Sequence, residues 1–309
     1  MAAVAFVFPG QGSQYVGMGK DLYERSEAAR SIFQKADRVV GFPLSQLCFE
    51  GPEEELRQTR NTQPAIFLHS VVLSQLLGGN PAAMAAGHSL GEYSALVHAG
   101  ALSFEDGLRL VRLRGELMQQ AGVEQPGTMA AVIGLQPSVV DAICVEAAAA
   151  GIVQAANFNS PGQIVISGSV EGVRKGMELA KARGAKLTKE LPVSGAFHSP
   201  LMASAGDGLK AALQKTTIRD AALPVYTNVT ARPVRRAEEI REMLYLQLTK
   251  PVRWEESVVN MAADGAGTFV EVGPGKVLQG LIKRIAAGVQ TRGIEKFEDI
   301  TEDVVKTGA

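Results

Sequence analysis

Short apolar runs alternate with longer amphipathic stretches along most of the chain. The runs at residues 4–8, 164–167 and 269–272 have the length and composition of buried strands. The stretches between them repeat their hydrophobic positions every three or four residues, as helices do when one face is packed. This alternation predicts an α/β protein with a mainly parallel sheet.

An internal boundary begins at Pro126 and Gly127. From there the pattern predicts, in order, a strand at 129–135, a helix at 138–150, strands at 152–156 and 163–168, a helix at 170–183 and a strand at 185–193. This β-α-β-β-α-β order is that of ferredoxin-like domains. We therefore predict a small insert of residues 126–195 within a larger α/β subdomain formed by residues 1–125 and 196–309.

Composition excludes several function classes. The 309 residues are 46% hydrophobic, enough for a sizeable core, and the net charge of -1 provides no overall field for nucleic acid or a membrane surface. No apolar run is long enough to span a bilayer, and the N-terminus lacks the basic region of a signal peptide. Cys48 and Cys144 lie outside any disulfide or metal-binding spacing. We expect a cytoplasmic monomer without a metal site.

The stretch GHSLGEYSAL at 87–96 places Ser89 between two glycines. An alanine-rich segment that predicts a strand precedes it, and a helical pattern follows from Leu90 to His98. In a strand–turn–helix setting, the glycines permit a sharp turn that exposes the serine hydroxyl as a nucleophile. The alternative is a turn with a purely structural role.

A serine nucleophile needs a base, and the chain contains four histidines. His88 is adjacent to the serine and should point to the opposite face of the strand. His98 lies about 13 Å further along the helix, which is too far for a hydrogen bond. His69 lies in an apolar helix that Pro64 is predicted to open, where a core position is expected.

His198 is the remaining candidate base. It follows the last strand of the insert and precedes a Ser-Pro break, in a loop that could return to the edge of the large sheet. The alternative is an exposed loop imidazole. The helix predicted at 238–248 must end before Pro251, so the main-chain oxygen of Gln247 could orient the imidazole. A water-capped helix end would explain the same pattern.

A helix capped by Ser103 is predicted to begin at Phe104. Helical spacing puts Phe104, Leu108, Val111, Gly115 and Met118 on one apolar stripe. Arg109 and Arg112 fall on the opposite face, where Glu105 and Glu116 lie four residues away as expected ion-pair partners.

Arg114 lies instead at the edge of this apolar stripe. Burying a guanidinium without a partner is unfavourable, so an anion should meet it there. A structural Asp or Glu and a bound ligand are both consistent with the sequence.

Several motifs occur together, in one order, along essentially the whole chain. They are FPGQGSQ (8–14), TQPA (62–65), GHSLGEYSAL (87–96), RG (114–115), NFNSPGQ (157–163), GAFHS (195–199), QLTKPVRW (247–254) and EVGPGKVLQGL (271–281). With these motifs the chain resembles the malonyl-CoA:acyl carrier protein transacylases. That family's fold combines a hydrolase-like large subdomain with a ferredoxin-like insert.

The resemblance implies a role for each matching residue. Ser89 would carry the malonyl group, His198 would be its base and Arg114 would bind the free carboxylate. The backbone N–H groups of Gln11 and Leu90 would form the oxyanion hole. The remaining implied positions are Gln247, whose carbonyl orients the histidine, and Phe197 and Asn159, which bind substrate.

The resemblance also implies the substrates and the partner. Malonyl-CoA would donate to the phosphopantetheine thiol of an acyl carrier protein without any bound cofactor, and the GAFH box resembles that of malonyl-selective members. Carrier proteins are acidic, and six basic residues cluster in the insert: Arg174, Lys175, Lys181, Arg183, Lys186 and Lys189. An ordinary solvated helix face would explain the same cluster.

Two rival enzymes share this machinery. A discrete acyltransferase of a polyketide synthase would carry the same residues and differ only in its carrier protein. A serine esterase or thioesterase would need Ser89 and His198 but has no use for Arg114. A non-catalytic binding module would be expected to lack the nucleophile or the base, and the chain has both.

Overall fold

The structure is a computed structural model that describes residues 2–78 and 82–300. Up to residue 125 its elements are, in chain order, β1 (Ala3–Phe8), α1 (Lys20–Arg25), α2 (Glu27–Val40), α3 (Leu44–Glu50), α4 (Glu53–Leu56), α5 (Thr59–Leu76), β2 (Met84–Gly87), α6 (Gly91–His98) and α7 (Phe104–Glu124).

The next segment contains β3 (Gly127–Ile133), α8 (Pro137–Ala147), β4 (Val153–Ser160), β5 (Gln163–Ser169), α9 (Val170–Ala182) and β6 (Leu187–Glu190). The chain then continues with a 3-10 helix (Pro200–Met202), α10 (Ala203–Lys215), β7 (Val225–Tyr226), β8 (Pro233–Val234), α11 (Ala237–Leu246), α12 (Trp254–Ala263), β9 (Ala266–Val272), α13 (Val277–Ile285), β10 (Gln290–Ile294) and a second 3-10 helix (Phe297–Asp299).

The larger sheet has the strand order β10-β9-β1-β2-β7-β8, and its strands run parallel except β8, which is antiparallel to β7. Strand β1 is central and its two faces contribute to different core clusters: Phe6 and Phe8 to one, Ala5 and Val7 to the other. Helices on both faces explain why this strand is continuously apolar. The predicted α/β class with a mainly parallel sheet is confirmed.

The second sheet is antiparallel and has the order β4-β5-β3-β6. Alternate residues of β3 face opposite ways: Ala130 and Val132 pack with α8 and α9, whereas Met129 joins the core of the larger part. The sheet is therefore covered by its own helices on one face and by the larger part on the other. A parallel bridge between Asn157 and Val252 also joins the two parts.

Two local predictions were wrong. Helix α5 begins at Thr59, so Pro64 lies inside the helix and does not open it. Proline cannot donate to the carbonyl four residues earlier, and that carbonyl, on Arg60, accepts instead from Nη1 of Arg112 at 3.1 Å. The tertiary contact replaces the lost helical hydrogen bond, which the local sequence could not reveal.

The second error concerns the exposed face of α7. Glu105 pairs with Lys35 of α2, and Arg109 pairs with Asp106 at 3.4 Å. Arg112 does pair with Glu116, as predicted. Helix α2 packs beside α7, so Lys35 pairs with Glu105 in the place predicted for Arg109.

No helix in the two described stretches combines the length and the apolar character that crossing a membrane requires.

Candidate active site

A sharp turn between β2 and α6 presents Ser89. This residue has a φ of +50°, a left-handed conformation that is unfavourable for a residue with a side chain. A Cβ on Gly87 would overlap the backbone of Gly91, and one on Gly91 would overlap the backbone of Phe8. The two glycines are therefore required because strand, turn and helix pass too close together for any side chain.

His198 lies directly against the serine. Its Nε2 is 2.8 Å from Oγ of Ser89, and its Nδ1 is 2.8 Å from the main-chain oxygen of Gln247. A carbonyl can only accept, so Nδ1 carries the proton and Nε2 is free to accept one from the serine. Burial and the nearby Arg114 lower the pKa of His198 to about 3, which keeps the imidazole neutral.

The loop that carries His198 is fixed by the second sheet. His198 has a φ of +55°, the same left-handed conformation as the serine. Nε2 of Gln154, on β4, donates to the main-chain oxygen of His198 at 2.7 Å and to that of Thr249 at 3.2 Å. The smaller sheet thus holds the imidazole at the serine and also anchors the segment that follows Gln247.

Arg114 is the third group at the serine, and its side chain is 1% exposed. Its Nη2 donates to Oγ of Ser89 at 3.1 Å and to Oε1 of Gln247 at 3.0 Å, while Nη1 donates to Oε1 of Gln63 at 2.8 Å. Within residues 2–78 and 82–300 no carboxylate lies within 4.0 Å of it. The guanidinium is thus held by neutral oxygens, and its charge is not paired by the protein.

These groups line a cavity of about 180 Å³. Gln11 and Leu90 lie in its wall, and the backbone N–H of neither residue donates to an acceptor in the described parts of the chain. Phe197 and Asn159 also line it, and Oδ1 of Asn159 is 2.8 Å from Nε2 of His88. Seven of the eight residues predicted for the site therefore line one cavity. The eighth, Gln247, lies outside the lining and contacts His198 and Arg114.

Two buried polar residues near the serine were missed by the sequence reasoning. Oδ1 of Asn228 accepts from the backbone N–H of Ser89 at 2.6 Å, and its Nδ2 donates to the oxygen of Gly87 at 2.7 Å. Glu92 accepts from the backbone N–H of Asn228 at 2.8 Å. Burial raises the pKa of Glu92 to about 7. Asn228 belongs to an Asn-Val-Thr sequence that resembles a glycosylation site, but its side chain is fully buried and braces the turn.

The remaining histidines lie away from the serine hydroxyl. His98 contacts Ser74, with 2.7 Å between Nδ1 and Oγ, and packs on the rings of Phe6 and Phe8. His69 is 1% exposed, as expected for a core position. Burial lowers the pKa of both imidazoles to about 4.

The basic cluster of the insert is partly neutralised. Arg174 lies 3.9 Å from Glu190, and Lys175 lies 3.0 Å from Glu178. Arg183 pairs with Glu146. Three of the six basic residues thus have an acidic partner, which the sequence pattern did not reveal because two of these acids are distant in the chain.

A serine hydroxyl beside a neutral imidazole, next to an unpaired buried cation, is suited to accept an acyl group that carries a negative charge. Comparison with known proteins agrees with this chemistry. The family model described as acyl transferase domain matches residues 5–296, and the chain belongs to that family.

The relatives are more specific. The malonyl CoA-acyl carrier protein transacylase of Bacillus subtilis (strain 168) is 46% identical over 97% of this chain and 96% of its own length. The structure of the malonyl CoA-acyl carrier protein transacylase from Coxiella burnetii has a TM-score of 0.95 at 40% identity, and the match covers 100% of this chain and 98% of that one.

A further structure shows a type II polyketide synthase acyl carrier protein in complex with its malonyl-transacylase. It has a TM-score of 0.93 at 42% identity and covers 97% of this chain and 98% of that chain. Together these relatives confirm the family resemblance predicted from the motifs.

Proposed function

We propose that this protein transfers the malonyl group from malonyl-CoA to the phosphopantetheine thiol of an acyl carrier protein, and so supplies fatty acid synthesis. The observation that carries the proposal is Arg114, a buried cation 3.1 Å from Oγ of Ser89 that no carboxylate of the described residues contacts. The relatives named malonyl CoA-acyl carrier protein transacylase support the same substrates.

The first half-reaction forms a malonyl-serine. Nε2 of His198 accepts the proton of Ser89 as Oγ attacks the thioester carbonyl. The backbone N–H groups of Gln11 and Leu90 stabilise the developing oxyanion. His198 then protonates the sulfur of CoA, which leaves as a thiol, and the Gln247 carbonyl stabilises the transient imidazolium.

The second half-reaction reverses these steps. His198 accepts the proton of the phosphopantetheine thiol, and the thiolate attacks the malonyl ester of Ser89. The ester bond breaks and Oγ recovers the proton from His198. Because one site serves both substrates in turn, the kinetics are of the ping-pong type, and neither a cofactor nor a metal enters the cycle.

Arg114 selects the acyl group. Its planar fork can donate two parallel hydrogen bonds to the malonyl carboxylate, whereas an acetyl group would leave the buried charge unmatched. Phe197 would bound the acyl pocket. Asn159, held by His88, would contact the substrate from the second sheet.

We infer a two-part architecture and a docking surface for the carrier protein. Residues 126–195 would form the ferredoxin-like insert, as the sheet order β4-β5-β3-β6 supports. Residues 1–125 and 196–309 would form the hydrolase-like subdomain.

An acidic carrier protein would bind the basic cluster of the insert through Lys181, Lys186 and Lys189, which have no acidic partner in the described structure. A monomer in the cytoplasm stays a prediction.

A second carrier protein is supported by one specific observation. The polyketide synthase complex is as similar to this chain as the fatty acid enzymes are, so a polyketide carrier protein is the alternative acceptor. An esterase acting on neutral acyl chains is disfavoured because it would gain nothing from a buried Arg114.

The test is to mix the purified protein with malonyl-CoA and measure its mass. We expect a malonyl adduct on Ser89 that is absent in Ser89→Ala and that disappears when phosphopantetheinylated carrier protein is added. Separate additions of fatty acid and polyketide carrier proteins distinguish the two acceptors by rate. An adduct that forms in Ser89→Ala, or one released only to water, would contradict the proposal.

A further inference from the structure

Glu92 is a buried carboxylate that takes no direct part in the steps above. It lies in the first turn of α6 and is 1% exposed. Its Oε2 accepts two hydrogen bonds, from the backbone N–H of Asn228 at 2.8 Å and from Nε2 of Gln247 at 2.9 Å. Burying a carboxylate is unfavourable, so one retained beside the active site is a candidate for a role in the reaction.

The side chain of Gln247 connects Glu92 to Arg114. Its Nε2 also donates to the main-chain oxygen of Ser89 at 3.1 Å, and its Oε1 accepts from Nη2 of Arg114 at 3.0 Å. If the Gln247 amide were reversed, its NH₂ group would face the Arg114 guanidinium, and its oxygen would face two acceptors, the Ser89 oxygen and Glu92 Oε2. Only the observed orientation satisfies all three groups, and in it the amide oxygen faces Arg114.

The same arrangement keeps the two charges apart. Attraction between them lowers the pKa of Glu92 and raises that of Arg114, against larger and opposite effects of burial. They do not pair directly because the Gln247 amide stands between them. The carboxylate can thus stabilise the cation without taking the position that a substrate carboxylate would occupy.

We infer that Glu92 is a positioning residue that locks the Gln247 amide and, through it, aims the Arg114 guanidinium at the carboxylate of the acyl group. The inference rests on the proposed malonyl transfer. Glu92 is not among the residues that line the cavity, and its hydrogen bonds go to Asn228 and Gln247. Its removal should therefore weaken recognition of the malonyl carboxylate more than it weakens attack on the thioester.

Two variants change the charge and the length of the Glu92 side chain one at a time. Glu92→Gln keeps the shape and removes the charge, whereas Glu92→Asp keeps the charge and shortens the side chain. Assayed at about pH 8, where Glu92 is ionised, each should raise KM for malonyl-CoA and lower the preference for malonyl-CoA over acetyl-CoA by about tenfold. Any loss that arises through Asn228, which Glu92 also holds, affects both donors and cancels in that ratio.

The matched control is Glu271→Gln. Glu271 is also fully buried, and it accepts from the backbone N–H groups of Leu278 and Gln279 at the start of α13. This variant should lose thermal stability and keep the malonyl preference. A merely structural role for Glu92 would give that same result in Glu92→Gln, and the inference would then be wrong.

Gln247→Leu tests the connection itself because it removes the amide and keeps the main-chain carbonyl that His198 needs. It should lower the malonyl preference at least as far as Glu92→Gln does. The double variant, with both Glu92→Gln and Gln247→Leu, should have the same malonyl preference as Gln247→Leu alone. Additive losses would overturn the inference. A wild-type protein that forms no malonyl-Ser89 would instead refute the proposed function.

Discussion

The strongest prediction concerns the replacement of Arg114 by alanine. The side chain is 1% exposed and its hydrogen bonds within the described structure go to neutral oxygens, so its charge is available to a bound carboxylate. Removing one partner of a buried, hydrogen-bonded charge pair costs about 2–5 kcal/mol. At about 3 kcal/mol, kcat/KM for malonyl-CoA should fall about 150-fold.

The assay is acylation of Ser89 by malonyl-CoA and acetyl-CoA in parallel. Loss of Arg114 also leaves the amide oxygens of Gln63 and Gln247 unpaired, but that damage affects both donors and cancels in their ratio. The preference for malonyl-CoA should therefore collapse. Arg114→Lys, which keeps the charge and loses the planar fork, should fall between alanine and wild type.

The control is Arg109→Ala, on the same helix but exposed and paired with Asp106. It should leave both rates unchanged. If Arg114→Ala slowed both donors equally, with the malonyl preference intact, Arg114 would have a structural role and the assignment of the substrate would lose its basis.

Three further predictions test the turn and the base. Gly87→Ala should abolish acylation and destabilise the fold because its Cβ would overlap Gly91. Gly280→Ala is the control, because no side chain and no other part of the described backbone outside its own helix lies within 4 Å of the new Cβ, and it should stabilise the protein by about 0.4–1 kcal/mol in urea unfolding. Asn228→Ala should destabilise the protein by about 2–3 kcal/mol, since the buried oxygen of Gly87 and the part-buried N–H of Ser89 lose their partners. Labelling of the serine by a neutral fluorophosphonate should keep a constant rate from about pH 8 to about pH 5, because His198, with its pKa lowered to about 3, stays neutral there.

Each of these predictions has an outcome that would contradict it. Full activity in Gly87→Ala would show that the strand and the helix can separate at the turn. An unchanged unfolding midpoint in Asn228→Ala would mean that water replaces the lost contacts. A labelling rate that falls between about pH 7 and about pH 6 would mean that the histidine retains its ordinary pKa.

Much of the site could be anticipated because its residues break local rules. Glycines flank Ser89 where no side chain fits, and Arg114 departs from the polar face of its helix. Pro251 ends a helix and leaves the carbonyl of Gln247 available. The structure brings these groups to within hydrogen-bonding distance of one another, although their chemical roles stay predictions.

The supporting network could not be read in the same way. Glu92 and Asn228 are 136 positions apart, and each resembles an ordinary exposed polar residue when only its neighbours are considered. Pro64 marked the wrong start of α5 because the compensating donor, Arg112, comes from another helix. Contacts of this kind depend on how helices and strands pack together, which local periodicity does not encode.

Gln154 has a consequence for the order of the site before any ligand arrives. Its Nε2 binds two neighbouring backbone oxygens, at residues 198 and 249, and so joins the smaller sheet to the segment that carries His198 and to the one that follows Gln247. Because these segments are already joined to a strand, ligand binding spends less free energy on ordering them.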